Sequence, residues 1–155
     1  MTREHMQFLA DSIRKYNLQH VHFTTGQCLQ MHGLDGDTIL NLFKECHEHG
    51  IYNRGAGGDN PNVVASILRG IDPRETLDIT PYAAAISEFL MEQMFYIKLP
   101  RKFKMAIDNG FDSTPHTTFK DLGFNLTKHN TFDVYACGGL GPNPRMGIPV
   151  AHDVQ

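Results

Sequence analysis

Cysteine is scarce in this chain of 155 residues. Cys28, Cys46 and Cys137 are an odd number, far apart, and form no CxxC pair. That argues against a disulfide framework and suits a reducing cytoplasm. It also falls short of the four thiolates that usually hold an iron–sulfur cluster. Long apolar runs are missing too. No stretch approaches the length of a membrane span, and Met1-Thr2-Arg3-Glu4-His5 lacks a signal peptide's apolar core. Nor is there an excess of positive charge. A net charge of −3 gives no global electrostatic reason to bind nucleic acid. Internal repeats and low-complexity segments are absent. With 20% charged residues the composition is that of a soluble globular chain, long enough for one large domain or two small ones.

What is present is a mixture of helical and extended periodicities. Arg3 to Tyr16 carries Met6, Leu9, Ile13 and Tyr16 at helical spacing, with Thr2 as candidate N-cap. His20 to His32 alternates throughout and predicts one long strand, with His20, His22, Thr24, Gly26, Cys28, Gln30 and His32 on its polar face. Gly26 would mark a bulge or a close approach to the backbone. A second helix is expected from Thr38 to His49, with Ile39, Leu40, Phe43 and Cys46 inward, Asp37 as cap and Gly50 at the stop. After the glycine- and asparagine-rich loop Arg54–Asn62, the apolar run Val63–Ile71 reads as a short helix. Thr80-Pro81 opens the clearest helix, with Tyr82, Ile86, Phe89 and Leu90 on one face.

Arg101 to Asp108 alternates strictly and predicts a half-buried strand. Lys102 and Lys104 then share a face about 6.6 Å apart. Two ammoniums so placed repel unless water or an anion lies between them, although lysines on a solvated edge strand are common. Leu122–Leu126 and Phe132–Ala136 read as further strands, the second running into Gly138-Gly139-Leu140-Gly141-Pro142. The tail after Val150 shows no further periodic element. The pattern is α+β. Neither glycine-rich segment has the spacing of a dinucleotide fingerprint, and no HExxH or Cys/His cluster supports a dedicated metal site for the nine histidines.

Six segments together resemble one family. Phe23-Thr24-Thr25-Gly26-Gln27 with Gln30-Met31-His32-Gly33 is similar to the "FTTRQ…QxHG" strand of siroheme-dependent nitrite and sulfite reductases. Arg54-Gly55-Ala56-Gly57-Gly58-Asp59 with Asn62-Val63 resembles their "RGACGDxxRNV" loop. Asp78-Ile79-Thr80-Pro81-Tyr82-Ala83 resembles the start of their siroheme-domain helix, and Leu99-Pro100-Arg101-Lys102-Phe103-Lys104 matches "LPRKFK" outright. Thr117–Phe124 and Gly138-Gly139-Leu140-Gly141 resemble the two segments that follow.

The resemblance implies a ferredoxin-like half-domain over residues 1–67, followed over 68–155 by the N-terminal part of the siroheme-binding domain. That second part is a partial α/β domain with antiparallel strands, truncated before the cluster cysteines. It implies siroheme and a four-iron four-sulfur cluster as cofactors, sulfite or nitrite as the anion, and an electron donor the sequence does not specify. Lys102 and Lys104 correspond to the family's catalytic lysines. Thr24, Thr25, His32, Arg54, Asn62, Arg101, Gly138 and Gly139 would face the cofactor. Dense positive charge suits an anion bound on a polycarboxylate haem, and lysines can deliver protons to oxygens leaving as water.

Departures accompany the matches. Gly26 stands where the family has an arginine, Pro61 precedes Asn62 where it has another, and Gly57 replaces a cysteine. The resemblance implies that the cluster ligands would lie in a C-terminal portion, or on a partner chain, outside this sequence. Two expectations follow. One is the N-terminal portion of a nitrite/sulfite reductase-like oxidoreductase, inactive alone. The alternative is a degenerate relative serving as a tetrapyrrole- or anion-binding or protein-interaction module.

Overall fold

The computed structural model describes residues 1–52, 62–93, 96–100 and 103–155. The chain divides into two compact units, Met1–Ala56 and Gly57–Gln155.

Helix α1 of the first unit spans Arg3–Lys15. Thr2 caps it reciprocally: its Oγ1 accepts the His5 N–H at 3.2 Å, and the His5 ring Nδ1 accepts the Thr2 N–H at 3.4 Å. Glu4 in the first turn and Arg14 and Lys15 in the last complement the helix dipole. Leu9 and Ser12 form the buried stripe, while Met6, expected on it, is exposed. Helix α2 spans Gly36–Glu48. Its cap is Asp35, whose Oδ1 accepts the Thr38 N–H at 2.8 Å, not Asp37, which is a first-turn carboxylate. Leu42 and Cys46 face inward, whereas Leu40 and Phe43 are exposed. Lys15 Nζ and Tyr16 Oη both donate to Glu45 Oε1, at 2.6 and 2.7 Å, tying the two helices together.

Between the helices the expected long strand is a hairpin. β1 (Val21–Phe23) pairs antiparallel with β2 (Leu29–Met31) in the register Val21↔Met31, His22↔Gln30, Phe23↔Leu29. Thr24 to Gln27 makes the turn, with the Gln27 N–H donating to the Thr24 carbonyl at 3.1 Å and Gln27 at φ +57°. Folding back pairs the backbone groups that a lone strand would leave open. The register sets even-numbered residues opposite even-numbered ones, so alternation alone could not distinguish hairpin from strand.

The second unit is a five-stranded sheet in the order β3-β4-β5-β6-β7. Its strands are Asn62–Ala65, Lys104–Asp108, Leu122–Leu126, Phe132–Ala136 and Ile148–Val154. β3, β4 and β5 run parallel, and β6 and β7 are antiparallel additions. Helix α3 (Thr80–Gln93) connects β3 to β4 and packs on the sheet, Ala83 and Ile86 against a core of Ala65, Ile79, Ile107, Leu126 and Phe132. Asp78, not Thr80, supplies the side-chain acceptor at its start, taking the Thr80 N–H at 2.9 Å.

Three expectations need correction here. Val63 to Ile71 is not a helix: its first residues form β3 and the rest is turn. A short apolar run carries no decisive period, and the β-branched pair Val63-Val64 suits a strand lying beside a parallel neighbour. β4 is not half-buried. Met105, Ala106, Ile107 and Asp108 are all buried, because the strand lies between β3 and β5. The tail is not aperiodic. It forms the edge strand β7, whose register shifts against Phe132, Val134 and Tyr135 obscure the alternation.

Candidate functional site

One end of the five-stranded sheet gathers polar and cationic residues from four strands. Asn62 opens β3 directly opposite Lys104, which opens β4. Asp121 precedes β5, and its Oδ2 accepts the Lys104 main-chain N–H at 2.8 Å. β6 runs the other way, Ala136 pairing with Leu122, so the following Cys137, Gly138 and Gly139 arrive at the same end. The Cys137 and Gly138 N–H groups donate to the carbonyls of Asp121 and Lys120, each at 2.9 Å. Four of the expected site residues, Asn62, Lys104, Gly138 and Gly139, are thus brought together.

The two glycines have no N–H to spare for an anion. Gly139 exchanges both main-chain bonds with Arg145 at 2.9 Å, and the Gly138 N–H is held by Lys120. Gly138 is there for space: a Cβ would lie 2.7 Å from the Lys120 carbonyl oxygen and 2.8 Å from that of Thr118. The lysines are different. Lys104 is exposed and Lys120 half-buried. Burial pushes the Lys120 ammonium below its ordinary pKa, the Lys104 charge pushes the same way, and Asp121 opposes them. Among the described residues, neither lysine is ion-paired to a carboxylate.

An apolar groove of about 450 Å³ lies in the same unit, lined by Ile86, Phe89 and Leu90 of α3 and by Phe103, Met105 and Phe124 at the sheet. Phe103 immediately precedes Lys104. The remaining expected residues belong to the first unit or lie outside the described residues. Thr24 and Thr25 are in the hairpin turn of the first unit, where Thr24 Oγ1 accepts the Cys28 N–H at 3.2 Å. His32 follows β2 and stacks on His20, ring centroids 4.6 Å apart. Arg54, Arg101 and Lys102 lie outside the described residues. Lys120 was not singled out from the sequence. It could have been found by asking which cations stand just before neighbouring parallel strands.

The donor sets discriminate between the two cofactors the resemblance implies. Cys28 is exposed and Cys46 buried in the first unit, and Cys137 is exposed in the second. Among the described residues no group of three or more His, Cys, Asp or Glu could hold a metal ion. A four-thiolate cluster does not fit this chain's own residues. A polycarboxylate macrocycle fits better: lysines without an ion pair among the described residues would meet its carboxylates, and an apolar groove would meet its ring. No described helix is long and apolar enough to cross a membrane.

Comparison with known proteins defines the class. Residues 56–153 match the family model of the nitrite and sulphite reductase 4Fe-4S domain, and residues 1–49 match that of the nitrite/sulfite reductase ferredoxin-like half domain. The chain belongs to the nitrite and sulphite reductase family. It is 29% identical over 150 residues to a ferredoxin–nitrite reductase of Synechococcus elongatus, covering 93% of this chain and 28% of that protein. It is 28% identical over 127 residues to a ferredoxin sulfite reductase of Mycolicibacterium paratuberculosis, covering 79% of this chain and 23% of the relative. The solved NirA protein of Mycobacterium tuberculosis superposes with a TM-score of 0.65 at 25% identity, over 83% of this chain and 24% of that one. The chain thus spans roughly a quarter of the length of these relatives. Its α+β architecture, with a ferredoxin-like half-domain at the start, is that of the family.

Proposed function

We propose that this chain is the N-terminal portion of a nitrite/sulfite reductase-like oxidoreductase, and that it contributes an anion- and siroheme-facing surface for the multi-electron reduction of sulfite or nitrite. The observation that carries the reading is the end of the sheet where Asn62 stands opposite Lys104 and Lys120 precedes β5, with neither lysine ion-paired to a carboxylate among the described residues. Siroheme, when bound, would supply the iron that takes the anion and would pass on to it electrons delivered by the donor. The chain's own groups would bind, orient and protonate. The lysines, Lys102 included by its match to the family motif, would pair with anionic oxygens and donate protons as oxygen leaves. The groove beside α3 would exclude water from an apolar ring face. In the hairpin, the same reading makes Thr24, Thr25 and His32 tetrapyrrole-facing hydrogen-bonding groups, and in the flanking segments it assigns Arg54 and Arg101 to the cofactor. The cluster ligands would come from a further portion of the protein or from a partner chain. By the names of the relatives a ferredoxin is the donor to test, in a reducing cytoplasm.

Gly26 and the Pro61-Asn62 step, where the family carries arginines, favour a second reading. Each lost charge-assisted contact would weaken anion binding by about 1.5–3 kcal/mol. The chain would then be a relative that binds a tetrapyrrole or anion and does no reduction. One titration tests the surface both readings share. Adding siroheme to the purified chain is expected to shift the Soret band, and Lys102→Ala with Lys104→Ala is expected to weaken that shift at unchanged circular dichroism. A spectrum identical to free siroheme would overturn the tetrapyrrole-facing surface in both readings. Binding without nitrite or sulfite consumption, after the cluster-bearing portion is supplied, would favour the second.

A further inference from the structure

Residues His20 to His32 include no lysine, arginine, aspartate or glutamate. The polar side chains of the hairpin are therefore imidazoles, amides, hydroxyls and a thiol. Beyond the last strand pair, Val21↔Met31, the two chains continue into His20 and His32. Their rings stack, with centroids 4.6 Å apart and planes inclined by 19°. His22 stands opposite Gln30, and side chains two apart on a strand share a face. All three histidines are exposed, and none is ion-paired to a carboxylate among the described residues. No ligand motif shows in the sequence because the two imidazoles meet only when the chain folds back through Thr24 and Gln27.

Imidazole is a common ligand of transition metals, and two facing rings offer two nitrogens to one ion. An ion bound at about 2.0–2.1 Å from each holds those nitrogens no more than about 4 Å apart. The ring torsion of histidine is broad, so modest rotations of exposed side chains convert the stack into a chelate. The hairpin has no charged side chain to repel a cation and no carboxylate to attract a hard one. Its donors therefore select a divalent transition metal over magnesium or calcium.

We propose that His20 and His32 form an open two-imidazole site for a divalent transition-metal ion of the zinc and nickel kind, with water in the remaining positions. Three or more protein ligands do not gather there among the described residues, so the ion is exchangeable and not structural. It clamps the open end of a two-stranded sheet, an element with little stability of its own. The site goes beyond the cofactor-facing role given to His32 and does not depend on siroheme.

The test is a titration of nickel chloride into the untagged whole chain, followed by calorimetry and by proton NMR of the histidine rings. Bound nickel is paramagnetic and broadens the signals of its own ligands first. One saturable site is expected, with the His20 and His32 rings broadening together before those of His5, His49 and His116. His20→Ala and His32→Ala are each expected to weaken binding by at least about tenfold, because a second ligand on the same frame acts at high effective concentration. Cys28→Ser is expected to leave it unchanged, since that thiol lies at the turn, the other end of the hairpin. The wild-type broadening pattern decides even where a substitution unfolds the hairpin. No saturable site, first broadening at other histidines, or binding that survives both alanine substitutions overturns the proposal. Nickel binding of the expected kind in a chain that ignores siroheme supports the metal site and removes only the tetrapyrrole-facing surface.

Discussion

Asp108, at the end of β4, is buried, and burial raises its carboxyl above the ordinary range despite several donors that pull it down. Oδ1 accepts the N–H groups of Gly110 and Leu126 at 3.0 and 3.2 Å, and Oδ2 accepts the Thr117 hydroxyl at 3.3 Å. A carboxyl whose folded pKa is raised stabilises the fold most fully below its unfolded value, about 3.9, and loses that contribution as pH rises through the folded value. Asp108→Asn keeps an acceptor for the two N–H groups and removes the ionisation. Its stability relative to wild type is therefore expected to improve as pH rises above about 4, as read by urea denaturation from pH 4 to 7. A pH-independent difference between the two would contradict the account. Asp108→Ala should behave differently, costing about 1–3 kcal/mol for each buried N–H left without an acceptor.

Elements were legible in the sequence where a local signal settled them. Thr2 capping α1, the α3 helix after Thr80-Pro81, and the strand β5 all stand as read. Misreadings arose where the deciding fact lies in another part of the chain. Nothing local tells that Val63 will lie beside Met105, or that Val21 will pair with Met31. The site was legible in the same uneven way. Lys104 stood out through its motif, while Lys120 emerges only once β4 and β5 are parallel neighbours. Gly123 shows how strictly that neighbourhood is packed. Within β5 it faces the short helical turn Thr117–Phe119, and a Cβ would lie 2.1 Å from the Thr117 carbonyl oxygen. Gly123→Ala must displace backbone, so a loss of about 3 kcal/mol or more is expected. A variant as stable as wild type would mean that the turn moves freely.

At the scale of the whole molecule, three cysteines are divided between the units, Cys28 and Cys46 in the first and Cys137 in the second. The family to which the chain belongs is defined by a 4Fe-4S domain, and the match covers residues 56–153, a span that contains Cys137 alone of the three. A cubane cluster needs four ligands, usually thiolates, converging on one volume. Cys46 is buried on the inner face of α2 at 2% exposure, where a thiol packs as a small apolar group and is not offered to a metal. On the proposed reading, anion binding and electron delivery would separate physically: this chain would carry groups for the first, and its three cysteines fall short of the four-thiolate donor set for the second. Anaerobic incubation with ferrous iron and sulfide, followed by desalting, is expected to leave far fewer than about four irons per chain and no cluster absorbance. Retention of a full cluster that disappears on Cys46→Ser or Cys137→Ser would show that the cysteines converge after all, and the division of labour argued from their positions would be wrong.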